Sequence, residues 1–110
     1  MELEFKDKQI QKLCEDSAVA VRKLGDPCAK KLRTRLAEIL AASAVTELIA
    51  GKPHPLKGTR DGQFSLELHG GSRLVFEPMM NPTVPRRDDG SIDWSKVTHV
   101  RVVYIGNYHD

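Results

Sequence analysis

The hydrophobic period of this chain changes at Gly51, and this change restricts the possible folds more than any other feature. Before Gly51, apolar residues recur every three or four positions, a spacing typical of amphipathic helices. After Gly51, they alternate with polar residues or form short β-branched runs, which is typical of strands. Helices followed by strands, rather than alternating with them, indicate an α+β fold. With 110 residues, the chain is expected to form one domain over 1–110.

The helical half begins with a short alternating segment, 2–5, which predicts a first strand. Asp7 is a candidate N-cap for the helix that follows. One apolar stripe then predicts a single helix of about four turns ending at Gly25; it consists of Ile10, Leu13, Cys14, Ala18, Val21 and Leu24. Asp26 as N-cap and Pro27 as first helical residue predict a second helix, whose stripe consists of Cys28, Leu32, Leu36, Ile39 and Leu40. The short break between the stripes predicts an antiparallel helical hairpin.

Three strands are predicted after Gly51. Residues 63–68 alternate with period two, and 72–77 form the return strand of a hairpin. The β-branched run 97–105 predicts a central strand covered on both faces. Residues 78–95 are rich in proline and predict a loop, in which Trp94 either caps the sheet or contacts a partner. The predicted architecture is a helical hairpin on one face of a small antiparallel sheet.

The length of the hairpin turn decides where Arg73 lies. Opposite residues of an antiparallel pair share a face of the sheet. A two-residue turn would divide the apolar residues of the two strands between the faces, whereas a three-residue turn, 69–71, keeps them together. We therefore predict the three-residue turn, with a glycine in the left-handed position. Arg73 then lies on the opposite, mostly polar face with Ser65 and Glu67.

Charge and cysteine content narrow the function classes. The net charge of +2 does not by itself mark a nucleic-acid binder. The basic residues between 22 and 35 are interpreted as a solvated helix face, with a phosphate- or partner-binding face as the alternative; they are Arg22, Lys23, Lys30, Lys31, Arg33 and Arg35.

Cys14 and Cys28 have no CxxC spacing and no Cys/His cluster beside them, which predicts core thiols and no metal site.

The sequence also indicates where in the cell the protein is expected. No apolar run approaches the roughly 18 residues that a membrane helix needs. The first residues are acidic and lack the apolar segment of a signal peptide. We therefore expect a cytoplasmic protein that has no membrane partner.

Two polar clusters, 52–60 and 107–110, carry the side chains suited to acid–base chemistry. No nucleophile elbow, P-loop or GxGxxG motif is present. RNA supplies its own nucleophile, the 2′-hydroxyl, so its cleavage requires a base, an acid and cations for the phosphorane. Histidine suits both proton roles and Lys or Arg suits the phosphate. The candidates are His54, Lys57, Arg60, Arg73, Asn107, Tyr108 and His109. The clusters therefore predict a phosphodiester-cleaving site that uses no metal and no cofactor.

The arrangement of these residues resembles the RelE/HigB superfamily of bacterial toxins, and the HigB branch in particular. The resemblance lies in the block HPLKGTRDG from His54 to Gly62, the strand motif from Arg73 to Phe76, and the Tyr108-His109 pair. It implies a microbial RNase fold and a metal-independent endoribonuclease that cuts mRNA in the ribosomal A site. It also implies a partner antitoxin of the helix-turn-helix, HigA-like type, through which alone the toxin would reach operator DNA.

Within this resemblance, His54 and His109 would transfer protons, Lys57 and Arg73 would stabilise the phosphorane, and Tyr108 would position the substrate. Arg60 and Asn107 would contribute to substrate binding. Two departures from the family pattern stand out. Asn107 replaces the usual aspartate before Tyr-His, and Ser65 and Glu67 occupy strand positions where the RelE branch has lysines.

Two alternatives remain open. One is a non-enzymatic toxin that binds gyrase, as the ParE relatives of this fold do, and such a toxin would not need the terminal Tyr108-His109 pair. The other, which the two departures support, is a weakly active member that acts mainly in the antitoxin complex and in control of the operon.

Overall fold

The computed structural model describes residues 1–79 and 83–107. Its five-stranded sheet has the order β1-β5-β4-β3-β2. The strands are β1 (Glu2–Phe5), β2 (His54–Pro55), β3 (Phe64–Glu67), β4 (Arg73–Pro78) and β5 (His99–Gly106). β1 runs parallel to β5, whereas all other neighbours are antiparallel. The α+β class is thus confirmed, but the sheet is mixed rather than antiparallel.

The N-terminal helices differ from the predicted hairpin. Three helices are present, α1 (Lys8–Glu15), α2 (Ser17–Leu24) and α3 (Asp26–Ala41). The predicted single first helix is wrong because Asp16 has extended backbone and its carboxylate accepts from the amides of Ala18 and Val19. Aspartate favours such capping positions over helix interiors. The break also changes the buried face, because Ala20 is buried on α2 whereas Ala18 and Val21 of the predicted stripe are exposed.

The N-cap of α3 lies one residue earlier than predicted. Gly25, with φ at 84°, is the N-cap of α3, and Asp26 is already helical. α2 packs against α3 across this turn, and α1 also contacts α3. The helical side of the molecule is therefore a layer of three helices that follows a strand.

The hairpin register is as predicted. Phe64 pairs with Phe76, and Glu67 pairs with Arg73. The amide of Leu68 donates to the carbonyl of Ser72 at 2.9 Å, which leaves a turn of three residues, 69–71. Gly70 and Gly71 both have positive φ, as the turn requires.

The helices and the sheet bury one apolar core between them. Its fully buried members include Leu32, Ile39, Leu66, Leu74, Phe76, Val97, Val100 and Val102. Trp94 closes this core beside β3, with its ring centroid 4.9 Å from that of Phe64. The interpretation of Trp94 as a cap on the sheet is therefore confirmed.

None of the described helices lies on the opposite face of the sheet, although Ser65 and Val75 on that face are fully buried. β5 is an interior strand, as predicted, but it is not covered on both faces, because only Val100 and Val102 are buried. A bulge between Val75 and Phe76 in the β4–β5 pairing leaves Val103 unpaired and keeps Tyr104 opposite Val75. Over the described residues, no helix is long and apolar enough to cross a membrane. We call this uncovered side of the sheet the open face.

Candidate active site

The strand register places one row of side chains across the open face. His54 on β2 lies opposite Ser65, Ser65 opposite Val75, and Val75 opposite Tyr104. Arg73 lies in the next row, opposite Glu67. With about 4.8 Å between strands, the Cα atoms of His54 and Arg73 are separated by roughly 12 Å. Both side chains therefore lie on the same face of the sheet.

His54 lies on a short edge strand, and not in a loop as expected from the flanking prolines. The chain reaches it through Gly51 and Lys52, both of which have positive φ. This turn brings the Lys52 carbonyl to 2.8 Å from His54 Nδ1. Because a carbonyl only accepts, Nδ1 carries the hydrogen, and Nε2 of the neutral ring is left as a proton acceptor.

Arg73 is held at the hairpin end of the site. Its Nη1 donates to the carbonyl of Gly71 at 2.9 Å, and its Nη2 lies 3.4 Å from a Glu67 carboxylate oxygen. Both side chains are about 30% exposed, so the ion pair is accessible to an anionic ligand. The pairing of Arg73 with Glu67 orients the guanidinium and offsets part of its charge.

Tyr104 ends this row on β5, and sequence reasoning missed it. The Arg60 guanidinium carbon lies 4.7 Å from the centre of the Tyr104 ring, which is cation–π geometry. Arg60 also donates to Gln63 at 3.2 Å. Arg60 therefore adds a second guanidinium to the site. Tyr104 would have been found by extending the register argument from the hairpin to the third strand.

Asn107 follows β5 and lies beside the hairpin turn. Its backbone carbonyl accepts from the Tyr104 hydroxyl at 3.2 Å. A Cβ added at Gly71 would lie 3.1 Å from Asn107 Nδ2, so the amide packs closely on the turn. Asn107 thus joins the end of β5 to the turn that holds Arg73.

Ser65 is fully buried in the middle of the row. Its hydroxyl has no hydrogen-bond partner among the described residues. Leaving a buried hydroxyl unpaired costs about 1–3 kcal/mol, so such groups are uncommon outside functional sites. Because Ser65 has no exposed surface, its hydroxyl is not accessible to a ligand in this arrangement.

Of the other predicted residues, Lys57 lines a groove that faces residues 86–94 instead of this face. Tyr108 and His109 lie outside the described residues. The open face therefore brings together His54, Arg60, Arg73 and Asn107 of the predicted set, and adds Ser65 and Tyr104.

Arg35 supports the site from the helical layer, and it was wrongly interpreted as solvated. It is only 8% exposed. Its Nε donates to the Glu67 carbonyl at 3.2 Å, and its Nη1 pairs with Glu38 at 2.8 Å. A Cβ on Gly51 would lie 2.6 Å from Arg35 Nε. Its spacing from Leu32 matches the apolar stripe, which was the available indication of burial.

The cysteines lie away from this face. Cys28 is buried and Cys14 is half-buried against the core, so both are free core thiols as predicted. Burial raises the pKa of the Cys14 thiol to about 12. Residues 1–79 and 83–107 contain no group of three or more His, Cys, Asp or Glu side chains placed to hold a metal ion.

Solved structures with this fold are bacterial toxins. A YoeB/ParE toxin from Agrobacterium tumefaciens superposes with a TM-score of 0.61 at 16% identity, covering 99% of this chain and 100% of its own. The YoeB-YefM complex from Staphylococcus aureus superposes with a TM-score of 0.56 at 19% identity, covering 100% of this chain and 98% of its own. An E. coli RelE mutant bound to an antitoxin RelB peptide superposes with a TM-score of 0.53 at 19% identity, covering 99% of this chain and 84% of its own. No protein-family model and no curated protein matches the sequence.

These likenesses confirm the α+β, RelE-like class of the predicted fold, but not the N-terminal helical hairpin or the purely antiparallel sheet. The chain has the fold of the RelE/ParE toxins.

Proposed function

We propose that this protein is the toxin of a type II toxin–antitoxin pair and acts as a metal-independent endoribonuclease on mRNA in the ribosomal A site. The observation that carries the proposal is the open face, which carries the His54 imidazole with an acceptor nitrogen and the guanidinium groups of Arg73 and Arg60. The HPLKG block supports a place in the HigB branch. The toxin–antitoxin complexes of the same fold support an antitoxin partner, which in this branch is a HigA-like helix-turn-helix protein.

The chemistry follows from the atoms on this face. Nε2 of His54 takes the proton of the ribose 2′-hydroxyl, and the resulting alkoxide attacks the adjacent phosphorus. Arg73 and Arg60 stabilise the charge on the phosphorane oxygens. The 5′-oxygen leaves with a proton, which we assign to His109, and a 2′,3′-cyclic phosphate remains. Lys57 and Tyr108 bind the substrate strand, Asn107 orients the end of β5, and the reaction takes place in the cytoplasm.

Induced expression tests this assignment. Removing one acid–base group typically lowers the rate by roughly 10²–10⁴-fold, so His54→Ala combined with His109→Ala should abolish growth arrest and mRNA cutting. Primer extension on translated mRNA locates the cuts, and His69→Ala in the exposed turn is the matched control. If the double variant still cuts mRNA at the same positions, the assignment is wrong.

A weakly active toxin is the second candidate. Glu67 lies 3.4 Å from Arg73 at a position where related toxins carry a cation, and it offsets charge that the phosphorane requires. Glu67→Gln should then increase mRNA cutting, because the Arg73 guanidinium loses its anionic neighbour. Unchanged cutting in Glu67→Gln would count against this candidate. Trapped gyrase–DNA cleavage complexes with intact mRNA would instead indicate the gyrase-binding alternative.

A further inference from the structure

A second concave surface lies beside the open face, between residues 55–62 and 86–94. It is an open groove of about 550 Å³. Its outer wall is a small hairpin in which Arg86 pairs with Ile92 and the Arg87 amide donates to the Ser91 carbonyl at 2.8 Å. Arg86 also donates to the Gly90 carbonyl at 2.8 Å. These bonds give the wall a defined shape. We call this surface the loop groove.

An aromatic ring forms part of the groove. Trp94 is half-buried, and its inner contacts hold it in place, with ring centroids 4.9 Å from Phe64 and 6.5 Å from Phe76. Trp94 is one of the residues that line the groove. A ring fixed in this way is a platform on which a planar group stacks without ordering the side chain first.

Cations lie on both sides of this platform. Lys57 lines the inner wall and Arg87 the outer wall, and both side chains are exposed. Neither side chain forms a hydrogen bond or an ion pair with a residue of 1–79 or 83–107. A fixed ring between two available cations is the combination that binds a base and its flanking phosphates.

Two carboxylates share the groove walls. Asp89 accepts from the Ser91 hydroxyl at 2.6 Å and from its amide at 2.9 Å, bonds that lower the Asp89 pKa and close the hairpin. This carboxylate therefore serves the loop. Asp61 is exposed on the inner wall of the groove. Its carboxylate is the type of group that accepts a hydrogen bond from the amino group of a base. With Lys57, Arg86 and Arg87 against these two acids, the groove remains cationic.

We propose that the loop groove binds one nucleotide of single-stranded RNA, with its base against Trp94 and its flanking phosphates on Lys57 and Arg87. The inference rests on the proposed function, since RNA is the substrate class. It extends that function by adding a second contact with the RNA. The groove residue Lys57 lies only three residues after His54 in the sequence. The bound nucleotide would therefore be a close neighbour of the cleaved bond, which gives the enzyme a contact outside the reacting atoms.

The tryptophan itself provides the assay. Trp94 is the only tryptophan of the chain, so its fluorescence reports on the groove alone. The probe is a 2′-O-methyl hexaribonucleotide, which lacks the nucleophile and stays intact. Titrating it into the whole protein should quench Trp94 emission in a saturable way. Raising the salt concentration should weaken the binding, because phosphate contacts release counterions.

A charge variant with a matched control locates the binding. Arg87→Ser should weaken binding about threefold to tenfold and reduce the slope of log affinity against log salt by about one. Arg22→Ser removes an exposed charge on α2, outside the groove, and should leave both values unchanged. Trp94→Leu and Trp94→Ala are unsuitable as test variants, because Trp94 packs on the core and its loss would also affect folding.

Several outcomes would overturn the inference. One is that the oligonucleotide binds, as seen by fluorescence anisotropy of a labelled probe, while Trp94 emission does not change. Another is that the oligonucleotide does not bind at all. A third is that the Arg87→Ser variant binds it with the same affinity as the parent protein. Equal quenching by poly-glutamate would show that the groove takes an acidic protein segment instead. Because the probe is not cleaved, this test is separate from catalysis. Quenching without any mRNA cutting in cells would refute the proposed function and leave the groove inference standing.

Discussion

At the scale of single residues, Gly51 joins the helical layer to the site. Its φ of 83° lies in the left-handed region, and the buried Arg35 side chain occupies the space that a Cβ would take. The Gly51 carbonyl accepts from the Glu67 amide at 2.7 Å. This contact aligns the segment before His54 with β3. A glycine at this position is thus required both by backbone conformation and by close packing.

Alanine substitution at two glycines should separate these requirements. Gly51→Ala should lower the free energy of unfolding by about 3 kcal/mol, since it adds a clash with Arg35 to the backbone strain. Gly70→Ala has the same kind of φ with no atom within 4 Å, and should cost only about 1 kcal/mol. Urea denaturation followed by circular dichroism measures both. Equal losses would show that Arg35 moves aside without cost.

At the scale of elements, Asp16 divides the N-terminal helical segment. It ends α1 and caps α2 through bonds to the amides of Ala18 and Val19. The apolar stripe was readable from the sequence only up to this break, where Ile10, Leu13 and Cys14 pack on the core. Beyond it the buried face of α2 changes, because Ala20 is buried while Val21 is 40% exposed. A continuous helical period does not encode the change of direction that a capping aspartate introduces.

The capping role of Asp16 leads to a stability prediction. Asp16→Ala should reduce the free energy of unfolding by about 1 kcal/mol, because the first amides of α2 lose their acceptor. Asp26→Ala is the matched control. Asp26 makes only an exposed ion pair with Lys30 at 3.2 Å, so its loss should stay within about 0.5 kcal/mol. Thermal unfolding of the two variants side by side gives the comparison, and a smaller loss for Asp16→Ala would refute the capping argument.

At the scale of the whole molecule, Arg35 connects the two layers. From α3 it reaches the end of β3 and the turn before β2, which carry Glu67 and His54. Residues from three parts of the chain therefore depend on one buried guanidinium. The open face stays uncovered because all three helices pack on the other side of the sheet.

Replacing Arg35 should affect both stability and activity. Arg35→Met keeps most of the packing but removes the bonds to Glu67 and Glu38, and should cost about 2 kcal/mol of unfolding free energy. The mRNA cutting by the folded variant should also fall, because the backbone that positions His54 loses its anchor. Arg33→Met on the exposed side of α3 should change neither quantity by much. Normal cutting by a destabilised Arg35→Met protein would limit Arg35 to a structural role.

The sequence alone determined the class of fold, the hairpin register and the side of the sheet on which Arg73 lies. Each of these follows from the period of the apolar residues, which burial imposes locally along the chain. The resemblance to RelE/HigB toxins likewise depended on short motifs within one segment. Tertiary structure decided which distant groups meet. The parallel pairing of β1, the Arg60–Tyr104 contact, the burial of Arg35 and the groove around Trp94 all join segments far apart in sequence, and no local pattern encodes such contacts.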